Sequence, residues 1–230
     1  MTTSLTGPVR SVADIPTRPD RNRMRAETGA RLRAAMAERG VGALILLGNN
    51  AVTYATGTSW PLGDAGLSHV ERPVALVLAD DPAPHLFLPF REGAAEETEL
   101  PADHLHGPVY LEFDEGVEHF AGIVAGLVPR GTAVAVDELT GAMRRCASLL
   151  FPDGAPGDAA VIVGAAKTVK TADEIACIHK AVQITDTAMI DVQRALAPGI
   201  RQVDLSAEFL RRAFELGAGS NFLMIPAADV

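Results

Sequence analysis

The sequence is poor in the features that settle many assignments quickly. Its 230 residues hold two cysteines, Cys146 and Cys177, and no C-x-x-C pair. That excludes a disulfide framework, and points to reduced, buried thiols in a cytosolic protein. The first 23 residues lack an apolar h-region. No stretch approaches the ~20 apolar residues of a membrane span, so neither leader nor anchor is expected and the location is read as cytoplasmic. Basic charge is also short: the net charge is −9, the wrong sign for a protein that displaces counterions from nucleic acid. There is no G-x-S-x-G elbow, and Gly217-Ala-Gly-Ser-Asn221 does not follow a strand, so nucleophile-elbow and dinucleotide readings fail. Internal repeats and low-complexity tracts are absent.

What is present is the material of a globular core, 48% hydrophobic and 21% charged residues. The length exceeds the ~150 residues that serve as a prior for one domain, leaving open one domain plus a piece of another or two small ones. Charge is unevenly spread. From Glu92 to Glu118 there are nine acids and no Lys or Arg, whereas the first 39 residues carry eight Arg against four acids. Solvated helix faces account for both segments; opposite patches meeting across a dimer interface are the sharper alternative.

Residues 1–17 read as an arm. From Pro19 to Arg39 the spacing of Met24, Thr28, Leu32 and Met36 predicts a helix, closed by Gly40. The run Val41–Leu47 reads as a buried strand. After a polar loop, Val74–Leu78 and His85–Phe90 flank Asp80-Asp-Pro-Ala-Pro84 as a hairpin. Further strands are expected at Val109–Phe113, Thr132–Val136 and Ala159–Val163, and helices at Glu92–Leu100, Gly116–Val128 and Thr140–Leu150. These elements define an α/β class with a mixed sheet flanked by helices.

Beyond Ala165–Lys170 the alternation stops. Thr171-Ala-Asp-Glu174 has the form of a capping box. Ile175, Ile178, Val182, Thr185, Met189, Val192 and Leu196 follow at helical spacing, a stripe along roughly 26 residues. Val203, Leu210, Ala213 and Phe214 mark a second helix. A helix pair with no sheet after it reads as the opening of another domain.

The segment Lys167-Thr-Val-Lys-Thr-Ala-Asp-Glu-Ile-Ala-Cys-Ile-His-Lys-Ala181 resembles the entry to the "pita-bread" catalytic domain of the creatinase, prolidase and aminopeptidase P metallopeptidases. Ile184–Met189, Leu196–Gln202 and Glu215-Leu-Gly217 continue the likeness in order, and Asn49-Asn-Ala-Val-Thr-Tyr-Ala-Thr-Gly57 resembles the N-x-x-Y-x-T-G stretch of the same family's N-terminal domain. The resemblance implies three parts: an N-terminal arm over 1–17, a creatinase-like α/β domain over 18–165, and the first helices of a truncated pita-bread domain over 166–230.

In that family, two divalent metal ions sit on two aspartates, a histidine and two glutamates downstream of the opening helices, and activate a water for peptide hydrolysis. No metal ligand or catalytic residue is transferred to this chain: Asp186, Asp191 and Asp204 fall on helices the family uses for packing, and Asp229 stands in a short stub. The resemblance thus implies the N-terminal portion of a metal-dependent dipeptidase or aminopeptidase acting on Xaa-Pro bonds, inactive as given and with no cofactor of its own. It also implies a homodimer in which Tyr54, Trp60 and His69 lie close to the partner's substrate; packing back onto their own domain is the plainer reading of these residues. A non-catalytic dimerisation or binding module stays open, as does a relative with amidinohydrolase or lyase chemistry. His104-Leu-His106 places two imidazoles on one side of an extended segment, but no third ligand is evident beside them.

Overall fold

The computed structural model describes residues 18–58, 72–89 and 98–218. The chain divides into two compact units, the first running from Asp20 to Thr171 and the second from Ala172 onward.

The first unit opens with helix α1 (Arg21–Ala37). Asp20 caps it by accepting the backbone N–H groups of Asn22 and Arg23, each at 3.0 Å. Thr28, Leu32 and Met36 form its buried stripe, and Gly40 turns the chain out with φ +65°. The elements that follow are β1 (Ala43–Leu46), α2 (Asn49–Thr56), β2 (Val74–Leu78), β3 (His85–Phe87), β4 (Leu105–His106), α3 (Asp114–Leu127), β5 (Val134–Val136), α4 (Gly141–Arg145), α5 (Ala147–Leu150), β6 (Gly157–Asp158) and α6 (Ala159–Lys167). The strands form a mixed sheet in the order β4-β3-β2-β1-β5-β6. Antiparallel pairing joins β1 to β2 and β2 to β3; parallel pairing joins β1 to β5, β3 to β4 and β5 to β6.

Successive side chains of a strand point to opposite faces, and here both faces are covered. Leu44, Leu46, Ala75, Val77 and Leu86 pack with α1, α2 and α6. Ala43, Ile45, Val74, Leu76, Phe87 and Val136 pack on the other side with α3, α4 and α5. This is why β1 and β2 read as unbroken apolar runs rather than as alternating strands.

Four sequence expectations change in this unit. Ala159–Val163 is not a strand but the start of α6: Asp158 caps it by accepting the N–H of Ala160 at 2.8 Å. Its buried residues, Ala159, Ile162, Val163 and Ala166, fall at helical spacing that a contiguous apolar run conceals. Val109–Phe113 forms no strand either. Val109 and Leu111 are buried, but the segment closes in a Tyr110–Phe113 turn, and the sheet takes its edge strand from Leu105–His106 instead. Asn49–Gly57, read as loop, is helix α2, ended by Gly57 at φ +73°. The predicted helix over Glu92–Leu100 lies mostly outside the described residues; Thr98, Glu99 and Leu100 are not helical. The helix expected over Thr140–Leu150 is broken at Cys146 into α4 and α5.

The second unit is the helix pair α7 (Ala172–Ala195) and α8 (Gln202–Glu215), joined by a short link in which Gly199 has φ +85°. Ala188 and Val192 meet Leu205, Phe209 and Ala213, and Arg212 reaches Asp191 at 2.9 Å. The buried faces differ from the predicted stripes. Val192 and Ala213 are buried as expected, but Ile178, Val182, Met189 and Leu196 on or just after α7, and Val203 and Phe214 on α8, are exposed, and Ala188, Leu205 and Phe209 complete the contact. Cys177 is exposed and Cys146 half-buried, so the thiols are not the buried pair expected. Among the described residues no helix is long and apolar enough to cross a membrane.

Candidate functional site

Three polar features stand out in the first unit. The first surrounds Tyr54. A helix leaves its last four carbonyls without intrahelical partners, and in α6 each is met. Thr168 Oγ1 donates to Gly164 at 3.0 Å, Thr168 N to Ala165 at 3.2 Å, Tyr54 Oη to Ala166 at 3.0 Å, and Lys170 Nζ to Lys167. The Lys167 ammonium also lies 5.5 Å from the Tyr54 ring centroid, within cation–π range. Tyr54 is therefore buried, and its hydroxyl ties α2 to α6. Trp60 and His69, its companions in the sequence reading, lie outside the described residues.

The second feature stands where the parallel strands β1 and β5 end, the side of an α/β sheet on which ligand crevices form. Asp137 follows β5, and its two oxygens accept the N–H groups of Leu47 at 2.8 Å and Gly48 at 3.0 Å. Gly48 precedes α2 without a side-chain cap. A Cβ there would lie 3.1 Å from Asp137 Oδ2 and 3.3 Å from Glu138 Oε1, so the glycine permits this close approach. Burial pushes the Asp137 carboxyl above its ordinary value, opposed by the two backbone N–H groups and reinforced by Glu138. Beside it Arg72 pairs with Glu138 at 2.9 Å and Glu112 at 3.0 Å, while its own Nε is buried without a partner.

The third feature gathers four ionisable residues at the β3–β4 edge. Asp81 sits in the β2–β3 turn, its Oδ1 accepting the N–H of Ala83 at 3.0 Å, a local hydrogen bond that favours Asp in turns. His85 opens β3, His104 ends a short 3-10 turn, and His106 lies on β4, paired with Phe87. Nε2 of His85 and Nε2 of His104 lie 3.8 and 3.7 Å from the same oxygen, Asp81 Oδ2. The rings of His85 and His104 are stacked at 4.2 Å, and Nδ1 of His85 faces Nε2 of His106 at 3.1 Å. His104 Nδ1 is buried with no hydrogen-bond partner. Burial, then the neighbouring His104 and His106, hold His85 below the usual imidazole range; burial, then His104, does the same to His106. The sequence showed only the His104/His106 pair. The third and fourth members come from across the strand pairing, which no local motif announces.

The carboxylates of the second unit do not converge. Asp191 is engaged by Arg194 and Arg212, and Asp204 by Arg201. Among the described residues, these helices hold no cluster fit for a metal pair. Asp229 lies outside the described residues.

Residues 30–165 match the model of the Creatinase/Prolidase N-terminal domain, and the chain belongs to that family. The fold is shared with prolidase from Pyrococcus horikoshii (TM-score 0.60, 17% identity, 84% of this chain and 49% of that one). It is shared likewise with X-Pro aminopeptidase from Thermotoga maritima (0.63, 16%, 83% and 49%). Zinc-substituted E. coli aminopeptidase P in complex with product is a further match (0.55, 19%, 84% and 50%). The chain thus spans about half the length of these structures. No curated protein matches the sequence significantly.

Proposed function

We propose that this chain is the N-terminal portion of a metal-dependent dipeptidase or aminopeptidase acting on Xaa-Pro bonds, and that these 230 residues alone do not hydrolyse peptides. The observation that carries the reading is the family match over residues 30–165, together with a fold common to prolidases and aminopeptidases but covering about half of them. The separately ion-paired aspartates of α7 and α8 support the second clause, because a metal-bound water needs carboxylates that converge on the ion.

The chain associates as a homodimer in this reading. Its support is the apolar surface of the helix pair: residues 177–183 of α7 are all exposed, Ile178 and Val182 among them, and such surface marks an interaction face. The same observation favours a non-catalytic dimerisation module as the second reading.

The test is hydrolysis of Xaa-Pro dipeptides and longer Xaa-Pro peptides by the purified chain with Mn2+, Co2+ or Zn2+ supplied, alongside light scattering. No turnover from a folded dimer is expected. Turnover that survives repurification would overturn the inactive reading, and a monomer at all concentrations would remove the dimer.

A further inference from the structure

We infer that Asp81, His85 and His104 form a binding site for one divalent transition-metal ion in the first unit, with His106 holding His85 in position. The site is separate from the peptidase reading, since it uses only residues of the α/β domain.

The ligand atoms are already grouped: one from each residue, all within 4.8 Å of one another. A tetrahedral zinc ion stands about 2.0–2.1 Å from imidazole nitrogen and carboxylate oxygen, which sets donor atoms about 3.3 Å apart. The two carboxylate-to-imidazole distances, 3.8 and 3.7 Å, lie about half an ångström from that spacing. The larger adjustment falls on the imidazoles. They are stacked with only 13° between their planes, whereas a shared ion lies in the plane of both rings, so binding splays them. Imidazole χ2 torsions are broad, and the rotation falls to His104, the more exposed of the two rings.

The surroundings supply what a ligating histidine needs. A metal-bound imidazole usually donates its other N–H to a fixed acceptor, which sets the tautomer. His106 Nε2 lies 3.1 Å from His85 Nδ1 and is placed to accept from it when His106 carries its proton on Nδ1, which leaves His85 Nε2, 3.8 Å from Asp81 Oδ2, without a proton. His106 is itself held by stacking on Phe87, with ring centroids 4.6 Å apart. Asp81 is oriented through its other oxygen by the turn. The site is not sealed: side-chain exposure falls from 25% at Asp81 to 14% at His104 and 7% at His85, giving an ion a route in and leaving a fourth position for water. Two imidazoles and one carboxylate suit Zn2+, Ni2+ or Cu2+ rather than Mg2+ or Ca2+.

The test uses the whole chain, stripped with a chelator and desalted. It is dialysed against micromolar Zn2+ and analysed for bound metal, then loaded with Co2+ for visible spectroscopy. One tightly held Zn2+ per chain is expected, with the intense d–d absorption of low-coordinate Co2+. Asp81→Asn keeps the oxygen that accepts from Ala83 but loses a ligand; His104→Gln removes a ring from the edge of the site. Each should weaken Zn2+ at least about tenfold and abolish the Co2+ band, and His106→Gln should weaken it about 10–100-fold. His119→Gln and His179→Gln, both at exposed positions, should bind as the parent does. Circular dichroism establishes that each variant is folded. A folded parent without stoichiometric Zn2+, or unchanged Zn2+ in folded Asp81→Asn and His104→Gln, would overturn the site.

Discussion

The phenol of Tyr54 donates to the carbonyl of Ala166 at 3.0 Å, joining residues 112 positions apart. Without that hydroxyl a buried helix-end carbonyl loses its donor. Tyr54→Phe should destabilise the first unit by about 1–2 kcal/mol, read as a lower urea midpoint at unchanged slope. An unchanged midpoint would show that water replaces the hydroxyl.

Gly116 stands at the start of α3, where an added Cβ would lie 2.0 Å from the Tyr110 carbonyl oxygen and 2.7 Å from its carbon. Both are backbone atoms, so relief requires the helix or the Tyr110–Phe113 turn to move. Gly116→Ala should cost about 2 kcal/mol or more, despite the better helix propensity of alanine, and thermal unfolding measures it directly.

Asp137 links stability to pH. Its folded-state pKa is raised above the ordinary 3.8, chiefly by burial. Its contribution is therefore fully present below that value and is lost as pH rises through the folded pKa. The ionised carboxylate accepts from both N–H groups, whereas the protonated acid and the amide of Asp137→Asn each offer one carbonyl acceptor, so the variant stands in for the protonated form. Urea midpoints of parent and variant from pH 4 to pH 7.5 should lie closest at the acid end, with the parent falling relative to the variant as pH rises. A parent midpoint that rises relative to the variant's would reverse the sign assigned to the shift.

On α7, Ile178 and Val182 are 47% and 51% exposed. Lysine at either position should leave the unfolding free energy of the monomer within about 0.5 kcal/mol of the parent, while lowering the weight-average mass in light scattering. A variant that stays associated would move the self-contact elsewhere.

Much of the architecture was legible because period and punctuation agreed. α1 showed its stripe and Gly40, β1 and β2 their apolar runs, and the β2–β3 hairpin its Asp-Asp-Pro turn. Errors arose where one signal served two structures. The apolar run at Ala159–Val163 fits a strand or a buried helix, and only the Asp158 cap and the continuation to Ala166 decide it. On α7 and α8 the stripe at helical spacing is buried only in part: Val192 and Ala213 lie in the contact with Ala188, Leu205 and Phe209, while Ile178, Val182 and Phe214 face outward. The Asp81–His85–His104–His106 group was half visible. Two histidines two residues apart are a local pattern, but their meeting with Asp81 and His85 depends on the parallel β3–β4 pairing, a long-range event.

The sheet's outermost members have a consequence for how copies of this protein stick to one another. Among the described residues, β4 and β6 are two residues each, so neither rim offers the long unpaired backbone that templates strand addition. Self-association should therefore proceed side chain to side chain. The infrared amide I band of the associated protein should match that of the dilute protein, without the low-frequency component of intermolecular β-sheet.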